Sequence, residues 1–215
     1  NSGLGNAINP LTSLADPQVY SIPMLLVIGW RGEPGIKDEP QHVMQGQITE
    51  QQLSIMNIPF VVMDSQSDSD TSLAPLLEKM TLENRPVAVL IKKNTFSAFK
   101  SVNQLPSVYS LVREDALNTL LSSFAKDDIV VSTTGKTSRE VFELRQRRGE
   151  PASDFLTVGG MGHTSSIAMG VALAAPKRRV IAIDGDGSML MHLGALPIIG
   201  NHSSSNLVHI VLNNQ

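Results

Sequence analysis

The sequence predicts an α/β fold with two domains, each a doubly wound parallel β-sheet with helices on both faces. Short apolar runs rich in Val and Ile alternate with stretches whose apolar residues recur every three or four positions. The first pattern is typical of strands buried on both faces of a parallel sheet, and the second of amphipathic helices. Their alternation along the chain indicates a doubly wound architecture.

The apolar runs predict six strands. They are Met24–Gly29, Phe60–Met63, Val87–Ile91, Ile129–Val131, Val180–Ile183 and Leu207–Leu212. The periodic stretches between them predict five helices. They are Thr49–Met56, Ser72–Glu83, Asp115–Phe124, Ser138–Arg147 and Ser165–Ala174. The stretch 94–111 is polar and has no clear period, which is typical of a linker. We therefore predict a domain at 1–100, a linker at 101–112 and a second domain at 113–215.

Composition and charge narrow the possible partners. With 17 basic and 20 acidic residues the formal net charge is −3, which gives no electrostatic reason to expect nucleic acid. The chain has no cysteine, which rules out disulfides and thiolate metal sites. Its apolar runs are all shorter than the roughly 20 residues of a membrane span. We therefore expect a cytoplasmic protein that acts on a small molecule, with neither nucleic acid nor a membrane as partner.

The chemistry is predicted where the strand Val180–Ile183 runs into the Gly-Asp-Gly-Ser sequence at 185–188. Ligands of open α/β sheets bind at the carboxyl ends of strands. Two glycines allow a sharp turn and a close backbone approach to a phosphate, and the Asp186 carboxylate suits Mg²⁺. A second strand ends in Asn-Asn at 213–214, and Asn214 follows Asp186 by 28 residues (214 − 186). The alternative is a turn that uses Gly-Asp-Gly for its geometry alone.

Two other loops have the composition of ligand-binding segments. The loop at 132–138 follows a strand and precedes a helix, so its amides and hydroxyls form an anion site, or else Thr137 or Ser138 is an ordinary helix N-cap. The glycine-dense loop at 158–163 permits a close approach to a flat ligand, and the alternative for Met161 is a gap-filler. His163 either contacts phosphate or substrate, or only caps the following helix.

Gly-Asp-Gly followed at this distance by Asn-Asn resembles the signature of thiamine diphosphate-dependent enzymes. The resemblance implies that Asp186 and Asn214 ligate Mg²⁺, which holds the diphosphate, and that a third ligand stands at residue 216. It implies that Met161 supports the bent shape of the cofactor and that the carbonyl near Gly159 or Gly160 accepts a bond from its aminopyrimidine. The residues assigned to the cofactor are Thr134, Gly135, Thr137, Gly160, Met161, Gly185, Asp186, Gly187, Ser188 and Asn214.

Within these enzymes, the N-terminal half resembles the phosphonopyruvate decarboxylases. The resemblance rests on Asn-Ser-Gly-Leu-Gly-Asn at 1–6 and on Trp-Arg-Gly-Glu-Pro-Gly-Ile-Lys-Asp-Glu-Pro-Gln-His at 30–42. A substrate with a phosphonate and a carboxylate needs cations and hydrogen-bond donors, for which we predict Arg31, Lys37 and Gln41.

The predicted catalytic residues are Asp38, His42 and His163. Asp38 and His42 are candidates for proton transfer. The alternative is a solvated loop shaped by proline and glycine, in which these charges have no special role.

The resemblance implies a thiamine diphosphate- and Mg²⁺-dependent carboxy-lyase. Its reaction would convert phosphonopyruvate, a small anionic 2-keto acid, to phosphonoacetaldehyde and CO₂ in phosphonate biosynthesis. The alternatives are a sulfopyruvate decarboxylase, an acetolactate synthase-like enzyme, and a non-catalytic α/β domain that binds phosphate. The activating glutamate of the family falls upstream of Asn1, and the third metal ligand falls after Gln215. We therefore expect a pyrimidine-binding and a diphosphate-binding domain that are both incomplete, an inactive piece of a longer parent, and a homo-oligomer of dimer size or larger.

Overall fold

A computed structural model describes residues 1–100, 109–202 and 205–213 of the protein. The chain divides into two compact units, residues 1–104 and 105–215. In each unit a parallel sheet packs against helices, which confirms the predicted α/β class. None of the helices in these described ranges is long and apolar enough to cross a membrane.

The first unit alternates helices and strands. In chain order they are α1 (Leu4–Ser13), β1 (Met24–Gly29), α2 (Pro40–Ile55), β2 (Phe60–Met63), α3 (Ser69–Glu83) and β3 (Pro86–Ile91). The strands are parallel in the order β1-β3-β2, so β3 is central. As predicted, β3 is almost wholly buried, whereas Val27 of the edge strand β1 is 66% exposed. The core of this unit joins Leu4 of α1 and Leu53 of α2 to Leu90 of β3.

The second unit contains four parallel strands. In chain order its elements are α4 (Arg113–Ser123), β4 (Ile129–Ser132), α5 (Lys136–Arg147), β5 (Phe155–Leu156), α6 (Thr164–Ala174), β6 (Val180–Gly185), α7 (Asp186–Met191), α8 (Ala195–His202) and β7 (Leu207–Leu212). The sheet order is β5-β4-β6-β7. Much of the predicted linker, at 101–108, lies outside the described residues.

Helices cover both faces of the second sheet. On one face Val130 and Ile181 pack with Leu117 of α4, and on the other Val131 packs with Ala168 of α6. Successive residues of a strand point to opposite faces, so neighbouring valines of β4 belong to different cores. This is the doubly wound arrangement that the apolar runs predict.

The strand order reverses between β4 and β6. From β4 the chain moves outward to β5, then returns and places β6 and β7 on the other side of β4. At such a reversal the loops after the two strands diverge and leave a crevice at their carboxyl ends, where ligands of open α/β sheets bind. The order of the strands alone therefore indicates a ligand-binding crevice at the carboxyl ends of β4 and β6.

The start of α2 corrects one part of the sequence prediction. Gln41 and His42 lie in the first turn of α2, which begins at Pro40, whereas the sequence predicts a loop there and a helix only from Thr49. Proline is well tolerated at the first helical position because its missing N–H needs no partner there. The first half of α2 is mostly polar and has no apolar period, so the pattern did not reveal it.

Candidate functional site

The predicted cofactor loops of the second unit meet at one edge of its sheet. Ser132 of β4 pairs in register with Ile183 of β6, and Gly185 of β6 pairs with Leu212 of β7. The loops at 133–135 and 186–188 therefore leave the sheet side by side, at the reversal of strand order. The backbone confirms this contact, since the N–H of Thr133 donates to the Ile183 carbonyl at 2.8 Å.

The loop after β4 ends at an open helix N-terminus. Gly135 is the N-cap of α5 with φ +89°, so no side chain caps this helix. Ser138 instead turns back and donates to the Thr133 carbonyl at 2.7 Å. Thr134 donates its hydroxyl to the Val158 carbonyl, which ties this loop to the glycine-dense loop. The N-cap alternative for Thr137 or Ser138 is therefore not what the structure shows.

The glycine-dense loop has two residues in the left-handed region, Gly160 with φ +66° and Gly162 with φ +94°. A Cβ added at Gly162 would lie 2.7 Å from Nδ1 of His192, so both conformation and space require glycine. Met161 is 41% exposed at this edge. A Cβ added at Gly187 would lie 3.6 Å from Met161 Cε, which shows that this side chain lies beside the Gly-Asp-Gly turn.

His163 occupies the N-cap position of α6 but makes no side-chain cap. Its Nδ1 lies 3.1 Å from the Gly160 carbonyl oxygen, and its ring centroid lies 4.2 Å from that of His192. The ring is exposed at the same edge as the cofactor loops. Of the two alternatives predicted for His163, the helix cap is absent from the structure and the ligand contact stays a prediction.

Asp186 stands at the start of α7, directly after β6. Its Oδ1 accepts a hydrogen bond from the Gly187 N–H at 2.7 Å. Gly185 and Leu212 are register partners of parallel strands. The next residues of the two strands, Asp186 and Asn213, therefore leave the sheet at the same edge. The predicted ligand Asn214 lies outside the described residues. No group of three His, Asp or Glu side chains in the described ranges is arranged to hold an ion. A metal at Asp186 would therefore need amide, carbonyl or cofactor oxygens.

Ser188 is buried below this edge, only 1% exposed. Its hydroxyl accepts hydrogen bonds from the Thr133 hydroxyl at 3.0 Å and from the Gly162 N–H at 3.1 Å. Asp184, which is fully buried, accepts a bond from the Gly185 N–H at 3.0 Å, and its Oδ2 lies 3.4 Å from Nε2 of His209. Burial alone would raise the pKa of Asp184, but the interactions with His209, Ser188 and the Gly185 N–H outweigh it, so the pKa is lowered.

In the first unit, Arg31 and Asp38 form a two-point ion pair. Arg31 Nε lies 2.8 Å from Asp38 Oδ2, and Nη2 lies 2.6 Å from Oδ1. Asp38 also accepts the N–H groups of Gly32 and Glu39 at 2.8 and 2.7 Å, and lies 3.1 Å from Nδ1 of His42. The bonds from Arg31, then those from Glu39, His42 and Gly32, hold the pKa of Asp38 far below its usual range, although burial opposes the shift.

Two glycines place the Arg31 segment against α2. Gly32 has φ +71°, and a Cβ there would lie 1.9 Å from the His42 carbonyl oxygen. A Cβ at Gly46, within α2, would lie 1.8 Å from the Gly32 carbonyl oxygen. Trp30 Nε1 donates to the Gly46 carbonyl at 2.9 Å. The backbones are therefore in direct contact, and the position of Arg31 depends on α2.

The other two predicted substrate residues differ in their surroundings. Lys37 is exposed and forms no ion pair with the described part of the chain. The Gln41 Oε1 atom is buried and accepts no hydrogen bond from the described residues. A buried amide oxygen in this state is unusual, so a water or a donor on a bound molecule would satisfy it.

Several polar residues at the ends of strands carry no sequence motif and are identified only by the fold. Lys92 follows β3 and pairs with Glu33, with 3.0 Å between Nζ and Oε1. In the second unit, Thr133 bonds Ser188, and Asp184 pairs with His209. The sequence feature that could have identified them is their position at the end of a buried strand or immediately after it. Such a position does not reveal which residue the side chain contacts, and only the fold shows that.

Comparison with known proteins agrees with this geometry. Residues 133–215 match the family described as thiamine pyrophosphate enzyme, C-terminal TPP binding domain. This segment contains all three glycine-bearing loops at the carboxyl edge of the second sheet. The match confirms, for this segment, the resemblance to thiamine diphosphate-dependent enzymes that Gly-Asp-Gly and Asn-Asn indicate.

Over the whole chain, the similar proteins are decarboxylases. Phosphonopyruvate decarboxylase of Streptomyces viridochromogenes is 38% identical over 100% of this chain and 56% of its own length. The Streptomyces hygroscopicus protein of the same name is 35% identical with the same coverage. Sulfopyruvate decarboxylase of Methanosarcina acetivorans is 30% identical over 100% of this chain and 58% of its own. The resemblance to thiamine diphosphate-dependent decarboxylases is thus confirmed, and the chain spans a little over half of these relatives.

Proposed function

We propose that this chain is part of a thiamine diphosphate- and Mg²⁺-dependent enzyme that decarboxylates phosphonopyruvate to phosphonoacetaldehyde and CO₂, a step of phosphonate biosynthesis. The observation that carries the proposal is the convergence of three glycine-bearing loops at the strand reversal between β4 and β6. The whole-chain similarity to two phosphonopyruvate decarboxylases supports the substrate.

The loops of the second unit fit a diphosphate and its metal. The N-terminus of α5 presents backbone amides with no side-chain cap, which is an arrangement suited to phosphate oxygens. Asp186 supplies a carboxylate beside the end of β7, and the Asn-Asn sequence that follows β7 contains side-chain amide oxygens. We assign Asp186 and Asn214 to Mg²⁺, and Thr134, Gly135 and Thr137 to the diphosphate end. Oxygen ligands of this kind are those that Mg²⁺ prefers.

We assign Gly160, Met161, Gly185 and Gly187 to the ring-bearing part of the cofactor. When bound, thiamine diphosphate supplies a carbon nucleophile and an acceptor for the electron pair that CO₂ leaves behind. The protein's part is to hold that group, to bind the anionic substrate and to move protons. We propose that the first unit, residues 1–104, is the pyrimidine-binding domain and the second is the diphosphate-binding domain.

We assign Arg31, Lys37 and Gln41 to the anionic substrate. A guanidinium has five N–H donors, of which Asp38 occupies two, and the Arg31 side chain is 54% exposed. The remaining donors are available for a phosphonate or a carboxylate, which arginine binds in a two-point geometry. Lys37 adds an exposed positive charge nearby in the chain.

For proton transfer we favour His42 over Asp38. Four groups, the Arg31 guanidinium, the Gly32 and Glu39 N–H groups and the His42 ring, contact Asp38 and lower its pKa. We therefore assign Asp38 to orienting Arg31 and His42, and not to proton donation. A carboxylate beside Nδ1 favours the tautomer with its proton there, which leaves Nε2 of His42 to exchange protons. In the second unit, the candidate for proton transfer is His163, which is exposed beside Gly160.

Binding of the cofactor is tested by titrating the full-length protein with thiamine diphosphate, with and without Mg²⁺. Asp186→Ala should abolish Mg²⁺-dependent binding because it removes the only carboxylate assigned to the ion. Asp127→Ala is the matched control, an exposed aspartate just before β4, at the opposite edge of the same sheet. Unchanged affinity of Asp186→Ala would remove this residue from the metal site. Absence of binding by the unsubstituted protein would favour the non-catalytic phosphate-binding alternative.

The substrate is tested by assaying the full-length protein with phosphonopyruvate, sulfopyruvate and pyruvate. We expect the highest kcat/KM with phosphonopyruvate. Faster turnover of sulfopyruvate would make the enzyme a sulfopyruvate decarboxylase, the second candidate, which the 30% identity to the Methanosarcina acetivorans protein favours. Preference for pyruvate would favour the acetolactate synthase-like alternative.

We also propose that the full-length protein is a homo-oligomer. Sulfopyruvate decarboxylases of Methanothermobacter thermautotrophicus are named as alpha and beta subunits, each matching under half of this chain. In that organism, the regions similar to this chain therefore belong to two separately named subunits. Light scattering of the full-length protein would show a dimer or larger species, whereas a monomer with full activity would contradict the proposal.

A further inference from the structure

The hydroxyl of Ser188 lies where the three cofactor loops meet. It accepts a hydrogen bond from the Thr133 hydroxyl at 3.0 Å and one from the Gly162 N–H at 3.1 Å. A serine hydroxyl offers one donor and two acceptor lone pairs, and these two bonds use both lone pairs. Ser188 is also only 1% exposed, so its hydroxyl lies below the surface that a cofactor would contact.

The partners of Ser188 come from separate segments of the chain. Thr133 begins the loop after β4, next to Thr134 and Gly135. Gly162 belongs to the glycine-dense loop that carries Met161. Ser188 itself belongs to the turn of Asp186. One buried hydroxyl therefore joins every segment that we assign to the cofactor within the described part of the second unit.

A buried carboxylate also holds the start of the segment that carries Ser188. Asp184 is fully buried and accepts the Gly185 N–H at 3.0 Å. His209 of β7 lies 3.4 Å from it, measured from Nε2 to Oδ2. The backbone that leads into Ser188 is therefore held in place before the hydroxyl is reached.

We infer that Ser188 is a positioning residue, which holds the loops of the cofactor site in register without touching the cofactor. The inference rests on the proposed function and revises one part of the sequence prediction, in which Ser188 contacts the cofactor directly.

A double-mutant cycle in the full-length protein tests the inference. Ser188→Ala and Thr133→Val each remove one side of the same hydrogen bond, and valine keeps the shape of threonine. Each single variant should weaken thiamine diphosphate binding at saturating Mg²⁺, by about tenfold for Ser188→Ala. The double variant should be no weaker than Ser188→Ala, because the bond can be lost only once. Ser166→Ala, an exposed serine on α6, is the matched control and should bind normally.

A second readout needs no cofactor. Hydrogen exchange at the Gly162 amide of the cofactor-free protein should accelerate in Ser188→Ala, because its acceptor is gone, and stay normal in Ser166→Ala. If Ser188→Ala does not fold, Thr133→Val is used in its place, with cofactor binding and hydrogen exchange at Gly162 as the two measurements. Its Kd for thiamine diphosphate should rise less than the Kd expected for Ser188→Ala.

Two results would overturn the inference. Additive effects, with the double variant weakened by the product of the single effects, would mean that Ser188 contacts the cofactor directly. Normal cofactor affinity in both single variants would reduce the hydroxyl to a structural contact. Failure of the proposed function looks different, because the unsubstituted protein itself would then not bind thiamine diphosphate.

Discussion

Gly46→Ala should destabilise this protein, although the same change within a helix usually does the opposite. Glycine in a helix interior costs roughly 0.5–1 kcal/mol relative to alanine, so the substitution normally stabilises. Here the new Cβ would lie 1.8 Å from the Gly32 carbonyl oxygen, against a lower limit of 3.0 Å for real Cβ contacts. The Gly32 carbonyl must therefore move by about 1.2 Å (3.0 − 1.8). Overpacking of this kind costs about 1–3 kcal/mol or more, which exceeds the gain in helix propensity.

The displacement should also reach the proposed substrate residues. Gly32 follows Arg31 and donates its N–H to Asp38, so a shift of this size moves the two-point ion pair. A misplacement of about 1 Å can cost about 100-fold in rate, so we expect kcat/KM for phosphonopyruvate to fall about 10- to 100-fold. Denaturant unfolding and steady-state kinetics of the full-length protein are the assays.

Gly170→Ala is the matched control for this prediction. Gly170 lies within α6, is exposed, and a Cβ there would meet nothing within 4 Å. It should raise the free energy of unfolding by roughly 0.5–1 kcal/mol and leave kcat/KM unchanged. If Gly46→Ala stabilised the protein to the same extent, with normal kinetics, the close contact between α2 and the Gly32 backbone would be refuted.

Two further predictions concern charge and backbone conformation. Asp38→Asn should lower the free energy of unfolding by roughly 1–2 kcal/mol at pH 7, a figure that allows for solvent screening of the exposed Arg31. Because the pKa of Asp38 is lowered by folding from an ordinary value of 3.8, its contribution is complete above that value and is lost as pH falls below it. The difference in free energy of unfolding between Asp38→Asn and the unsubstituted protein should thus be constant from pH 7 to about 5 and decrease below about pH 4. A difference that disappeared near pH 6 would contradict this. Gly162→Ala should cost roughly 1–3 kcal/mol, since its φ is +94° and its Cβ would lie 2.7 Å from His192 Nδ1. It should also weaken thiamine diphosphate binding, whereas Gly149→Ala, which has φ +65° and no neighbour within 4 Å, should cost only the backbone strain and bind normally.

Strands were well predicted because their signal is local. The runs at Met24–Gly29, Phe60–Met63 and Leu207–Leu212 coincide with β1, β2 and β7. A strand buried in a parallel sheet must be apolar along its whole length, whatever its partners are. By contrast, β5 has only two residues, and α1 contains Pro10, so neither presents a pattern long enough to detect.

The sequence by itself determined the parallel α/β class and the residue types of the proposed cofactor site, because buried strands, glycine turns and oxygen ligands each require particular amino acids at neighbouring positions. Only the tertiary structure decided which groups meet. The sequence predicts proton transfer for Asp38, and the structure surrounds its carboxylate with four groups that lower its pKa. The sequence predicts a cofactor contact for Ser188, and the structure bonds its hydroxyl to Thr133, 55 residues away. Hydrogen bonds saturate, and whether a polar group has capacity left depends on partners that are brought together only by the order of the strands.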